Sequence, residues 1–215
     1  MEIIETSSVG KSVIENHGRI LIGLSIKNSY FKDGNLKKIL EWVSKYFVHG
    51  YVMIPDEPAI YTLMSIGYEE NRARTKAVLE ANRLENKCYR IIEDSKLNNI
   101  SMIRWKDIQN DKEYIDSLDK IKAAYATDES FKDALRDTTS EVITVNKTSL
   151  EISKAIDIGI NFLFQELAFI SNSADILKCD QVAYLYHKTM PVFKSMLDGT
   201  YELKAARNVG YITGV

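Results

Sequence analysis

Ser25 stands where the apolar run Ile20-Leu21-Ile22-Gly23-Leu24 opens into the segment Ser25-Ile26-Lys27-Asn28-Ser29-Tyr30-Phe31. The run reads as a buried parallel strand, apolar on both faces, and Gly23 leaves a gap in it where another group can approach the backbone. Ligands bind at the carboxyl ends of strands in open α/β sheets, so a hydroxyl there is a candidate nucleophile; a hydroxyl that only satisfies a turn is the other reading. Glu166 lies on an apolar helix face, with Phe162, Leu163, Phe169 and Ile170 one turn away. A carboxylate so placed suits the binding of an ammonium group or the movement of a proton, or a boundary pairing with a lysine. Tyr186-His187 closes an aromatic, β-branched segment. A phenol can relay a proton and an imidazole titrates near neutrality, although such a pair also serves packing. His17 and His49 fall in expected turns and are assigned nothing.

The segment after Glu69 carries a different chemistry. Wound at about 100° per residue, Arg72, Lys76, Arg83, Lys87 and Arg90 fall within a stripe roughly 60° wide. Ala73, Ala77, Ala81, Leu84, Cys88 and Ile91 form a separate apolar face, Glu70 and Glu85 lie on other faces, and Glu69 and Glu80 border the stripe. A row of cations at this spacing suits a phosphate backbone, where Lys and Arg give affinity without reading bases; a solvated face is the alternative. Other signatures fail. Ser8-Val9-Gly10-Lys11-Ser12 resembles the tail of a P-loop, but Glu5 stands where the first glycine is needed and no strand is expected before it. With no GxGxxG, HExxH or GxSxG, no site for ATP, a dinucleotide or a metal is visible.

These residues need elements to hold them. The 215 residues, 45% hydrophobic with a formal net charge of −2, suffice for one substantial core, and any nucleic-acid contact must come from a local basic face. Cys88 and Cys179 lack CxxC spacing, which argues against a disulfide framework or a zinc site. The acidic Met1-Glu2-Ile3-Ile4-Glu5 has no signal-peptide core and no apolar stretch approaches membrane-spanning length, so a cytoplasmic protein is expected. Expected helices are Leu36 to His49 (closed by Gly50), Pro58 to Gly67, Glu69 to Ser95, Lys112 to Ala126, Ser130 to Asp137, about Val145 to Phe169, and Met190 to Leu197. Expected strands after the first are Tyr51 to Ile54, Ile100 to Trp105 and Val182 to Tyr186, and the tail beyond Gly199 reads as irregular. Alternating strands and helices imply an α/β layered fold with a parallel sheet, in one domain over 1–215.

Five pieces in order resemble the cyclodipeptide synthase family: Gly23-Leu24-Ser25-Ile26-Lys27-Asn28-Ser29-Tyr30-Phe31, the strand exit Ile54-Pro55-Asp56, Asn71-Arg72-Ala73-Arg74-Thr75-Lys76-Ala77, Glu166, and Tyr186-His187. Asn28, Tyr186 and His187 resemble the signature of its Asn-Tyr-His branch. The resemblance implies a Rossmann-like parallel sheet flanked by helices, similar to the catalytic domain of class I tyrosyl- and tryptophanyl-tRNA synthetases. It implies no cofactor, because such proteins take amino acids already esterified to tRNA, in keeping with the missing ATP motifs. The partners would be two aminoacyl-tRNAs, docked by their acceptor arms along Arg72, Lys76, Arg83, Lys87 and Arg90, with no DNA or membrane partner and a monomeric state.

In the implied reaction, Ser25 takes the first aminoacyl group and then carries a dipeptidyl group, whose cyclisation releases a diketopiperazine. Glu166 would hold the first ammonium and Tyr186 relay a proton in the closing step, while Asn28 and His187 hold the loop. The aminoacyl pocket would be lined by Leu21, Gly23, Val52, Ile54, Phe169 and Tyr184. Its aliphatics suggest an apolar first residue, and Tyr184 and Lys27 leave room for a polar one. The family usually has a tyrosine one helical turn before the glutamate. Here that position is Phe162, also counted with the substrate site, so Glu166 needs another donor or a water. A noncatalytic tRNA-binding module would need only the basic stripe; a serine acyl-hydrolase would need an acid-His-Ser triad.

Overall fold

The computed structural model describes residues 1–26 and 28–214, with the backbone alone of Asn146. Six strands form one sheet: β1 (Ile3–Thr6), β2 (Arg19–Gly23), β3 (His49–Ile54), β4 (Ile100–Arg104), β5 (Val182–Tyr186) and β6 (Val209–Gly214), in the order β1-β6-β5-β2-β3-β4. β1 runs antiparallel to β6, and every other pairing is parallel. Helices cover both faces, which makes this a Rossmann-like α/β layered fold. From β2 the chain moves outward to β3 and β4, then returns to place β5 on the opposite side of β2. The two directions diverge at β2 and β5, and the crevice outside their carboxyl ends is where such a sheet binds ligands.

Opposite faces of the sheet bury two separate cores. Ile20, Ile22, Val52, Ile54, Ala183 and Leu185 meet α2 (Asp33–Tyr46) and α4 (Glu70–Asp94) on one face. Leu21, Met53 and Tyr184 meet α8 (Ile152–Ile170) and its neighbours on the other. α4 begins where the Glu69 carboxylate accepts the amides of Asn71 and Arg72, and its alanine-rich face buries Ala73, Ala77 and Ala81. α8 lies behind the sheet against α3 (Pro58–Ser65), α6 (Lys112–Thr127) and α7 (Glu129–Asn146). It is buried on most sides, as its nearly unbroken apolar sequence requires.

Several expectations need correction. The helix expected from about Val145 to Phe169 is two helices: α7 runs through Val145, Lys147 turns left-handed at φ 54°, and α8 starts at Ile152. Thr148 holds the break, donating its hydroxyl to the Ser65 carbonyl and accepting the Leu150 amide. Gly50 does not cap α2; it lies in β3, where a Cβ would come within 2.6 Å of Val43 and Ile100 side chains. His49 is likewise a strand residue rather than a turn residue. The tail beyond Gly199 is not irregular, for it returns as the buried strand β6. A strand, β1, also precedes Ser8-Val9-Gly10-Lys11-Ser12, contrary to expectation. That segment is nevertheless helix α1 (Ser8–Glu15), with its Gly10 amide taken by the Ser7 hydroxyl and a Gly10 Cβ excluded by the Tyr211 carbonyl at 2.3 Å, so it does not cradle a phosphate.

Because β6 completes the core beside β5, Ile212, fully buried, is expected to matter as a central core residue would. Ile212→Ala should cost about 2–5 kcal/mol in urea unfolding; a cost under about 0.5 kcal/mol would show that the last strand is dispensable.

Candidate active site

The switch point brings two hydroxyls together. Ser25 follows β2, Tyr186 ends β5, and Ser25 Oγ lies 2.7 Å from Tyr186 Oη. Asn28 stabilises the loop between Ser25 and α2: its side-chain Oδ1 accepts the Tyr30 amide and caps a short 3-10 turn over Ser29–Phe31, while its backbone N–H donates to the Ser25 carbonyl at 3.4 Å. Lys27, in the same segment, lies outside the described residues. His187 stacks on Tyr30 with ring centres 4.4 Å apart and meets Phe31 edge-on at 5.3 Å. Asn28 and His187 thus both bear on the loop that carries Ser25.

Behind this pair lies a second. Tyr184 stacks beside Tyr186 with centroids 5.9 Å apart, and its hydroxyl donates to Glu166 Oε1 at 3.4 Å. Glu166 is 7% exposed, and burial pushes its carboxyl up to about 7, opposed only by the Tyr184 hydrogen bond. Burial, followed by the nearby Glu166 charge, pushes the Tyr186 phenol up to about 12 against hydrogen bonds with Ser25 and Asn28. Burial also brings His187 down to about 4, with Lys188 contributing, so the imidazole is neutral near pH 7. Its Nδ1 is buried with no hydrogen-bond partner among the described residues. Among the described residues no histidine hydrogen-bonds Ser25, whose partner is a phenol: His17 bonds the Tyr46 carbonyl and His49 the Ser101 hydroxyl. The acid-His-Ser arrangement of a hydrolase is not formed.

The expected pocket residues separate. Leu21, Phe169 and Tyr184 share one core and Phe162 packs against it half-buried. Gly23 faces Tyr184 directly. Val52 and Ile54 belong to the opposite face and are corrected: parallel pairing sets Gly23 beside Met53, so Met53, not its neighbours, shares the face of Leu21 and Tyr184. Both faces of β3 are apolar, so the sequence carries no alternation from which that parity could be read. Trp105 is a second missed member; its amide is held by Asp56 Oδ1 at 3.1 Å and its indole by Tyr114 at 2.9 Å. Arg104, paired with Glu85 and near Asp56, fixes α4 to the same strand exit.

The cationic stripe also divides. Arg72 and Lys76 gather over the Tyr68 ring, 5.3 and 4.6 Å from its centre. Arg83, Lys87 and Arg90 instead line a cleft of about 580 Å³ with Ser25, Asn28 and Phe31. Glu80 shares that cleft and pairs with Arg83 at 3.0 Å, while Lys87 reaches Asp33 at 2.9 Å and the Phe31 carbonyl at 3.4 Å. One half of the stripe therefore adjoins the candidate nucleophile. Among the described residues no three His, Cys, Asp or Glu side chains gather as metal ligands would, and no helix is long and apolar enough to cross a membrane.

A family model described as cyclodipeptide synthase matches residues 4–213. The chain belongs to the cyclodipeptide synthase family. It is 24% identical over 209 residues to a cyclo(L-leucyl-L-leucyl) synthase of Staphylococcus haemolyticus, covering 94% of this chain and 89% of that protein. The fold matches a crystal structure of a cyclodipeptide synthase from Bacillus thermoamylovorans with a TM-score of 0.89 at 20% identity, over 99% of this chain and 96% of that one. It also matches a Mycobacterium tuberculosis protein described as demonstrating that cyclodipeptide synthetases are related to type I tRNA synthetases, with a TM-score of 0.82 at 17% identity, over 96% and 89%. The family resemblance and the synthetase-like fold drawn from the sequence are thereby borne out.

The raised Glu166 carboxyl gives this synthase family member a pH signature. The group titrates near 7 when folded against an ordinary 4.5, so between these values the folded chain keeps a proton that the unfolded chain has released. Its contribution is complete below pH 4.5 and is lost as pH rises through 7, by about 3 kcal/mol. His187, depressed when folded, has the opposite slope over much of this range. The difference between wild type and Glu166→Gln isolates the carboxyl: wild-type stability in urea melts should fall relative to the variant from pH 4.5 to 7. Parallel pH profiles would contradict the burial of an ionisable Glu166.

Proposed function

We propose that the protein takes two amino acids from aminoacyl-tRNAs and joins them into a cyclic dipeptide through esters on Ser25. The observation that carries this reading is the Ser25–Tyr186 hydroxyl contact of 2.7 Å at the sheet's switch point. Glu166 lies one stacked tyrosine away, and three cations of α4 line the cleft that opens on Ser25.

The acceptor end of the first aminoacyl-tRNA enters that cleft, its phosphates against Arg83 and Arg90. Ser25 Oγ attacks the ester carbonyl; the tRNA ribose oxygen leaves and takes up the proton that Ser25 gives up, with the vicinal ribose hydroxyl assisting. Among the described residues no strong base bonds Ser25, and the pre-activated ester makes one unnecessary. Glu166 ionises as the substrate ammonium reaches it, because an opposite charge at contact offsets the desolvation that raised its pKa. The amine of the second aminoacyl group then displaces Ser25's acyl bond and makes a peptide bond, and the second ester passes to Ser25 with loss of the second tRNA. The free amine of the dipeptidyl ester finally attacks that ester, Ser25 leaves, and the ring closes. Tyr186 stays protonated near neutrality, so it acts as a relay, giving a proton to Ser25 Oγ as it takes one from the attacking amine. Holding amine and ester together favours closure over hydrolysis by on the order of 7 kcal/mol or more.

Intact-protein mass spectrometry after brief exposure to charged tRNA tests the sequence of steps. Ser25→Ala should show neither adduct nor diketopiperazine, while keeping its thermal stability. Tyr186→Phe should load Ser25 but accumulate acyl-enzyme, with cyclic product reduced about 100-fold or more. Binding without an adduct on wild type would instead favour a noncatalytic tRNA-binding module, and normal cyclisation by Tyr186→Phe would remove the relay.

Charge reversal at the cleft, Arg83→Glu with Arg90→Glu, should raise KM for charged tRNA and lessen the salt dependence of binding, with a slope change of about 1–2. Both side chains are exposed, so unfolding free energy should stay within about 0.5 kcal/mol. A large loss of stability with unchanged tRNA binding would show that these cations are structural.

A further inference from the structure

The space beside Gly23 is occupied by the chain itself. A Cβ placed on Gly23 would lie 2.2 Å from Tyr184 Oη, so the phenol fills the gap that the missing side chain leaves in β2. The wall around that ring is closed. Leu21, Met53 and Phe169 are 0% exposed, Trp105 1% and Tyr184 2%, so these side chains are packed closely with little accessible surface. Tyr184 is also held from three sides: its hydroxyl is bonded to Glu166, its face stacks on Tyr186, and Phe193 meets it edge-on at 6.0 Å.

Taking up the aminoacyl transfer proposed above, on which this inference rests, the first aminoacyl group has both ends assigned. Its carbonyl is at Ser25 and its ammonium at Glu166, so its α-carbon passes over Gly23 and the Tyr184 ring. We propose that Tyr184 selects the first amino acid by size, admitting glycyl, alanyl or seryl groups and excluding leucyl and larger ones. A leucyl side chain adds a branched four-carbon group on this side. To seat it, the Tyr184 ring must swing out, and the bond that orients the Glu166 carboxylate toward the ammonium goes with it. The larger substrate would thus weaken the contact that holds its own amine. A side chain of one carbon, or none, asks for a much smaller shift of the ring, which can leave that bond in place. The selectivity expected here is the reverse of that named in the leucyl-leucyl synthase of S. haemolyticus, and it comes from one ring in one position.

The test charges a single tRNA body in turn with glycine, alanine, serine, leucine and phenylalanine, so that the tRNA contacts stay constant, and reads the rate of Ser25 acylation by intact mass. Wild type should acylate with the three small residues at least about tenfold faster than with leucine, the discrimination that a misfit of this size supports. Tyr184→Ala should raise leucyl relative to alanyl loading about tenfold or more. Tyr184→Phe keeps the ring and loses the hydroxyl, so loading should slow for every residue while the ranking stays. Equal or faster leucyl loading by wild type overturns the size filter and leaves the synthase reading in place. No adduct with any of the five overturns the synthase reading, and this inference with it. Should Tyr184→Ala fail to fold, the wild-type series and Tyr184→Phe still decide.

Discussion

Neighbouring parallel strands β2 and β5 leave the sheet toward opposite edges, and the site depends on that divergence. A crevice opens only where two adjacent strands part company in this way. Ser25 and Tyr186 end the two strands and meet across the crevice. β2 is fixed by buried Ile20, Leu21 and Ile22 with β3 on its other side; β5 is fixed by β6 and by the packing of Tyr184 onto Gly23. A shift of one residue between the strands would move Tyr184 off the glycine and part the two hydroxyls. The hydroxyl contact therefore reports the register of the whole sheet.

The groups around Ser25 are largely uncharged. A neutral phenol touches it, a neutral imidazole steadies its loop through ring stacking, and the nearest buried carboxyl titrates only near 7. Charge is concentrated on α4, on the solvent side of the cleft, where Arg83, Lys87 and Arg90 stand. This separation suits the substrate proposed above, activated and polyanionic: its phosphates would meet the α4 cations, while its ester would meet the half-buried Ser25, where a weak nucleophile suffices. A buried carboxyl with one hydrogen bond is also poised to change state on meeting an ammonium, so in the proposed reaction amine recognition and ionisation would be one event.

Much of this was legible in the sequence. The β2 run, the α4 helix with its separate alanine and cation faces, and the strand ending in Tyr186-His187 all follow from local periodicity. Ser25, Asn28, Tyr186 and His187 fall around one end of the sheet with Glu166 behind them, a grouping that came from the family resemblance and not from local periodicity. What stayed hidden depends on packing between distant segments. β6 reads as loop because Gly210 and Gly214 punctuate it, yet Gly210 is there so that α1 can approach: its Cβ would lie 2.5 Å from the Gly10 amide. Val52 and Ile54 were placed on the wrong face because a strand buried on both sides gives no clue to its parity. The regular spacing of the cations on α4 could not show that Tyr68 gathers two of them and the Ser25 cleft the other three.

The pairing of β1 with β6 joins Ile3 to Gly214 and Thr6 to Ile212, partners separated by most of the sequence. During synthesis β2, β3 and β4 can pair in order as they emerge, but β5 follows them by a long helical excursion, and β1 has no neighbour until β6 exists. Contacts of such separation form late, since loop closure must precede the gain from pairing. Ser25 is made early and waits for a partner 161 residues downstream. A growing chain on the ribosome, surrounded by charged tRNA, thus carries its serine long before it has the strand that sets that serine against a phenol.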